Sequence, residues 1–206
     1  MIKNGVIQDK EIKGVKVIIN LIPENNKFAR PAKSMNPTSI TIHETGNTKK
    51  GADAKAHTIY VDNIQSYVSW HFTVDDKEIY QEIPINENAW HAGDGGSGTG
   101  NCTSIAIELC INEEGNFEKT KENARVLVQY LMQETGIKEI YPHKHWSGKN
   151  CPANILRSGW DEFVNYLVSD FKEQDYEMIV AERDYWKQKF HDLKDFINEV
   201  TEYGNY

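Results

Sequence analysis

The sequence predicts an α/β or α+β domain built around one sheet, with an amphipathic helix appended at the C-terminus. Five segments of strand length carry alternating or continuous apolar residues, and three others repeat apolar residues at helical spacing. Hydrophobic residues make up 39% of the 206 positions, which supports a packed core and excludes a disordered chain.

The strand segments are 15–22, 39–45, 67–74, 78–83 and 104–111, each bounded by turn-forming residues. The first helix, 52–62, is rich in alanine. The second, 121–135, places Ala124, Leu127, Val128 and Leu131 at i, i+3, i+4 and i+7, with Thr120 as N-cap and Gly136 past its end. The third, 155–171, aligns Trp160, Phe163, Val164, Leu167 and Phe171 in one stripe. The run 92–100 reads as a flexible loop and not a phosphate cradle, because it lacks a Gly-Lys-Ser/Thr ending.

Lys+Arg 23 against Asp+Glu 31 gives a net charge of −8, which argues against nucleic acid or an anionic membrane as main partner. Residues 172–206 hold five basic and nine acidic residues, half of that net charge, and this sets them apart from a body at 1–171. From Tyr176 the tail steps by threes and fours through Ile179, Arg183, Trp186, Phe190, Leu193, Ile197 and Val200. A helix there either docks back on the body, binds an external surface or pairs with a second copy through 176–203. No apolar run approaches the roughly 20 residues of a membrane span, so membrane insertion is not expected. The start, Met1 to Asp9, lacks the apolar region of a signal peptide, which predicts synthesis in the cytoplasm. Cys102, Cys110 and Cys151 are too few for a disulfide framework.

Strand alternation points to a site. In segment 39–45, Ile40 and Ile42 share one face and Thr41, His43 and Thr45 the other. In 67–74, Ser69, His71 and Thr73 oppose Trp70, Phe72 and Val74. In 104–111, Glu108 lies with Ser104 and Ala106, opposite the isoleucines. Three strands thus present small residues, two histidines and a carboxylate on one face.

The segment Tyr141-Pro-His-Lys-His-Trp-Ser-Gly-Lys-Asn-Cys-Pro152 gathers His143, His145, Lys149 and Cys151. Histidine nitrogen and cysteine thiolate are preferred zinc ligands, and a catalytic zinc takes three protein ligands with one open position. A ligand pair from this segment together with His43 makes a His2Cys set. Extended backbone at 149–151 points Lys149 and Cys151 the same way, which brings an ammonium beside the metal.

These residues resemble a known family. His143-x5-Lys149-x-Cys151-Pro152 is similar to the C-terminal motif of type 2 N-acetylmuramoyl-L-alanine amidases, the zinc amidases of phage endolysins, related in fold to peptidoglycan recognition proteins. Arg30-Pro31, Met35 to Asn47 around His43, Gly51 to His57, Ser69 to Asp75, Ala89-Trp-His-Ala-Gly93 and Ser104 to Glu108 also match, in the family's order, over about residues 15–170.

The resemblance implies an α/β fold with a mixed central sheet flanked by helices and Zn2+ in a surface groove. It implies that His43, His143 and Cys151 hold the metal, that Glu108 and Lys149 are catalytic, and that His145 is not a ligand. Thr45, Asn47, Trp70, His71 and His91 become groove residues for substrate. The implied reaction is hydrolysis of the amide joining N-acetylmuramic acid to L-alanine in bacterial peptidoglycan, by an endolysin of phage or prophage type that reaches the wall after release. Some relatives have tyrosine where this chain has Trp70, which leaves Glu108 as the candidate base.

Overall fold

The five strands expected from the sequence lie in one seven-stranded sheet in the computed structural model, with two short strands, Glu11–Ile12 and Glu139–Pro142, that the pattern did not predict. The structure describes the backbone of residues 1–203 and the side chains of these except 170–180, 182, 184 and 195–203. The chain divides into two compact units, Met1–Leu167 and Val168–Tyr206.

In chain order the first unit contains β1 (Ile2–Lys3), β2 (Val6–Ile7), β3 (Glu11–Ile12), β4 (Val15–Ile19), β5 (Ser39–Glu44), α1 (Ala54–Asn63), β6 (Phe72–Val74), β7 (Glu78–Gln81), α2 (Thr99–Thr103), β8 (Ser104–Leu109), α3 (Phe117–Thr135), β9 (Glu139–Pro142), α4 (Lys144–Ser147) and α5 (Ala153–Ser158). The 44-residue helix α6 (Trp160–Tyr203) begins there and continues through the second unit. The expected boundary after residue 171 therefore falls inside a helix.

The main sheet runs β3-β4-β7-β6-β8-β5-β9, with β6, β8, β5 and β9 mutually parallel and β7 antiparallel to β6. Parallel strands need covering on both faces. Ile40, Ile42, Ile105, Ile107 and Leu109 are fully buried, and α3 packs across β3, β6, β7 and β8. On the other face Val61 of α1 packs with Trp70, Ile83 and Ala106.

Three sequence expectations change. Helix α3 starts earlier than the apolar repeat, because the Asn116 side chain accepts from the Lys119 amide and is the N-cap, while Thr120 lies inside the helix. Gly136 ends it at φ 74°, the left-handed conformation that glycine adopts without strain. The expected helix 155–171 is two helices, because Gly159 at φ 126° breaks it between α5 and α6. Segment 67–74 is strand only over β6, so Trp70 escapes the alternation and packs with Ala106 instead of sharing Phe72's face.

In the second unit, Trp186, Phe190 and Leu193 are exposed at i, i+4 and i+7. Ile179, Ile197 and Val200 of the same stripe lie outside the residues whose side chains are described. Among the described residues no helix is long and apolar enough to cross a membrane.

Candidate active site and metal centre

Parallel pairing brings the carboxyl ends of β8, β5 and β9 side by side, where sheets of this kind bind ligands. His43 on β5 pairs in register with Glu108 on β8, so the two side chains leave the same face together. Strand β9 pairs with β5 as far as Pro142, and His143 follows it, its amide donating to the Ile42 carbonyl. The chain then makes the single turn α4, which stops at Gly148 with φ 75°. It returns so that the Cys151 carbonyl accepts from the Lys144 amide at 3.0 Å.

Cys151 is held there by its neighbour in the sheet. The buried Glu44 carboxylate accepts from the backbone amides of Asn154 (3.1 Å) and Ile155 (2.9 Å) and from the Asn154 side chain (2.9 Å). It caps α5 and ties the residues after Cys151 to the end of β5.

The result is a cluster of His43, His143 and Cys151 whose donor atoms all lie within 4.8 Å of one another. Cys151 Sγ stands 3.9 Å from His43 Nδ1. Zinc–nitrogen and zinc–sulfur bonds of about 2.0–2.3 Å put tetrahedral donors roughly 3.3–3.8 Å apart, so the set suits one ion. A second observation agrees: both ring nitrogens of His143 are buried without a hydrogen-bond partner, as a ligand's metal-facing nitrogen requires. The donor chemistry, two imidazoles and a thiol, suits a transition metal such as zinc.

Electrostatics distinguish the groups. Burial, then the neighbouring charges of His91, His143 and Lys149, drives His43 well below the usual histidine range. Burial and Lys149 also lower His143. Burial pushes the Cys151 thiol up to about 12, against the opposing pull of Lys149. Glu108 sits 3.8 Å from His43 Nδ1 and has one carboxylate oxygen buried without a partner. Burial pushes it up to about 8, opposed by Lys149 and assisted by Glu44.

A cleft of about 620 Å³ opens over this centre, lined by His43, Glu108, His143 and Lys149 on one side and Tyr67, Trp70 and Trp90 on the other. Trp70 is fixed from behind: its Nε1 donates to the Thr73 hydroxyl (2.6 Å), which donates to buried Glu82 (2.6 Å), as does Thr58 (2.9 Å). Tyr67 and Trp90 meet edge to face at 6.1 Å, and Lys33 lies over Trp90.

The structure thus brings together His43, Glu108, His143, Lys149, Cys151, Trp70 and His91. It does not bring His71, Thr45 or Asn47 to the cleft lining. His71 is fully buried, accepting from the Ala106 amide through Nδ1 and donating through Nε2 to the Glu87 carbonyl, so it supports the sheet and cannot touch substrate. Asn47 closes a local turn onto the Lys49 amide. His145 is exposed and stacks on Tyr141 at 4.2 Å, away from the metal donors.

Sequence reasoning passed over Tyr67, Trp90, Asn101 and Glu44. Trp90 stands beside His91 in a block already singled out, and its size was the available signal. Asn101 gave none: its Oδ1 accepts from the His91 and Ala92 amides, both at 2.8 Å. With Asp94 bonded to the Gly100 amide, it pins the glycine-rich run that was expected to be flexible.

Known proteins resemble this chain in sequence and in fold. A family model described as N-acetylmuramoyl-L-alanine amidase (Amidase_2) matches residues 33–154. The chain is 51% identical over 152 residues to the N-acetylmuramoyl-L-alanine amidase CwlH of Bacillus subtilis strain 168, covering 73% of this chain and 60% of that protein. It is 51% identical over 153 residues to the amidase XlyA of the same organism, covering 72% of this chain and 50% of that protein. It therefore spans about half to three-fifths of these relatives' length. The structure of the catalytic domain of XlyA superposes with a TM-score of 0.71 at 49% identity, over 74% of this chain and 99% of that one. The fold, with its mixed sheet flanked by helices, and the matched residues place this chain in the N-acetylmuramoyl-L-alanine amidase family of the Amidase_2 type.

Proposed function

We propose that this chain hydrolyses the amide bond between N-acetylmuramic acid and L-alanine in bacterial peptidoglycan, using zinc held by His43, His143 and Cys151, in the manner of a phage or prophage endolysin. The observation that carries the reading is the His2Cys donor cluster at the floor of a cleft that also presents Glu108 and Lys149. Zinc, when bound, supplies a Lewis acid for the carbonyl and lowers the pKa of a coordinated water towards ~7.

The chain's own residues do the rest. Glu108 takes a proton from the attacking water and returns it to the alanine nitrogen as the carbon–nitrogen bond breaks. Lys149 is exposed at the cleft rim and offers its ammonium to the developing oxyanion, a contribution of about 3 kcal/mol in comparable sites. Trp70, Trp90 and Tyr67 offer flat surfaces on which a sugar ring can lie.

Digestion of purified peptidoglycan tests the reading. New free alanine amines without new reducing ends are expected, and Glu108→Ala or Cys151→Ala should abolish their release. Reducing ends without amines, or full activity in both variants, would overturn it.

A further inference from the structure

His91 lines the cleft, but the residue is 7% exposed and both ring nitrogens have protein partners. Its Nε2 lies 3.2 Å from the Ser104 carbonyl oxygen, and its Nδ1 lies 3.1 Å from Nε2 of His43. The two rings meet edge to face at 84°. A carbonyl only accepts, so the proton of a neutral His91 sits on Nε2 and its Nδ1 presents a lone pair. That lone pair requires a proton on His43 Nε2. The bare nitrogen of His43 is then Nδ1, the atom that faces Cys151 Sγ at 3.9 Å. In the opposite tautomer of His43, two lone pairs would meet at 3.1 Å and a proton would stand among the metal donors.

We propose that His91 is the positioning residue that fixes His43 in its metal-binding tautomer and ring orientation, acting from behind the metal site and not on substrate. The support behind it is rigid. The Asn101 side chain holds the His91 amide, and Ser104 begins β8, which pairs in register with β5 through Ser39 and Ser104. Gly100 leaves room for the turn, since a Cβ there would stand 2.5 Å from Ala92 and 2.7 Å from Trp146. Outer partners of this kind typically change metal affinity 10–100-fold.

The inference rests on the zinc reading above, and zinc affinity of the full chain, measured by competition with a chelator, separates the two. Asparagine at 91 places an amide oxygen where Nδ1 stands; glutamine reaches the Nε2 position and offers His43 nothing. His91→Gln and His91→Phe should bind zinc about 10–100-fold more weakly than the parent, and His91→Asn should recover most of that loss. In cobalt-loaded protein, the thiolate-to-metal absorption band should match the parent in His91→Asn and shift in His91→Gln. Equal affinities in the asparagine and glutamine variants, whether both parent-like or both weak, overturn the proposal. A parent chain that takes up no zinc overturns the zinc reading itself.

Discussion

At the scale of residues, three of the histidines near the site are made different by what each nitrogen meets. His43 and His143 turn a nitrogen towards the proposed metal, whereas both nitrogens of His71 are consumed by backbone. Alternation could not make that distinction, because it assigns a face but not a partner. His71 is fully buried, with the Ala106 amide and the Glu87 carbonyl as its partners. Its burial has a consequence for acid stability. Folding holds His71 neutral, pushed down to about 4, while in the unfolded chain it takes a proton below about 6.5. Its contribution is therefore complete above pH 6.5 and lost as the pH falls towards 4. Between pH 7 and pH 4.5 the parent should lose about 2–3 kcal/mol more than His71→Gln in urea unfolding. Equal losses in the two proteins would remove His71 as the cause.

Elements bring the distant ligands together. Strand β5 was legible from Ile40 and Ile42 alternating with His43, and its pairing with β8 puts Glu108 beside that histidine. The short pieces were not legible. Strand β9, α4 and α5 have four, four and six residues, too short for a periodic pattern to rise above chance. Their positions come from tertiary contacts: pairing with β5 for β9, and the Glu44 carboxylate at the start of α5. Glu44→Ala leaves two helix amides without that acceptor. It should lower stability by about 1.5–3 kcal/mol and weaken zinc binding, because the Cys151 segment loses its tie to β5. Unfolding midpoints and chelator competition measure both, and unchanged values would show that the cap does not hold the cysteine.

For the whole molecule, the proposed zinc joins residues 43, 143 and 151 across the sheet, so an ion bound only by the folded chain should stabilise it. At a thousandfold excess over its Kd the gain is about 4 kcal/mol. The thermal midpoint should therefore fall when a chelator is added and recover with zinc. A midpoint indifferent to both would oppose the metal reading. The sequence by itself determined the fold class, the core faces of β5 and β8, and the chemical character of the segment around His143 and Cys151. Those features are local: period-two alternation, helical spacing and residue type act within a few positions. Tertiary structure alone decided which histidines face one another, that residues 69–74 are buried on both faces, and how Glu44, Asn101 and Ser104 brace the donors. These depend on strand register and on contacts between residues tens of positions apart, where a buried nitrogen's role is set by the one atom it meets.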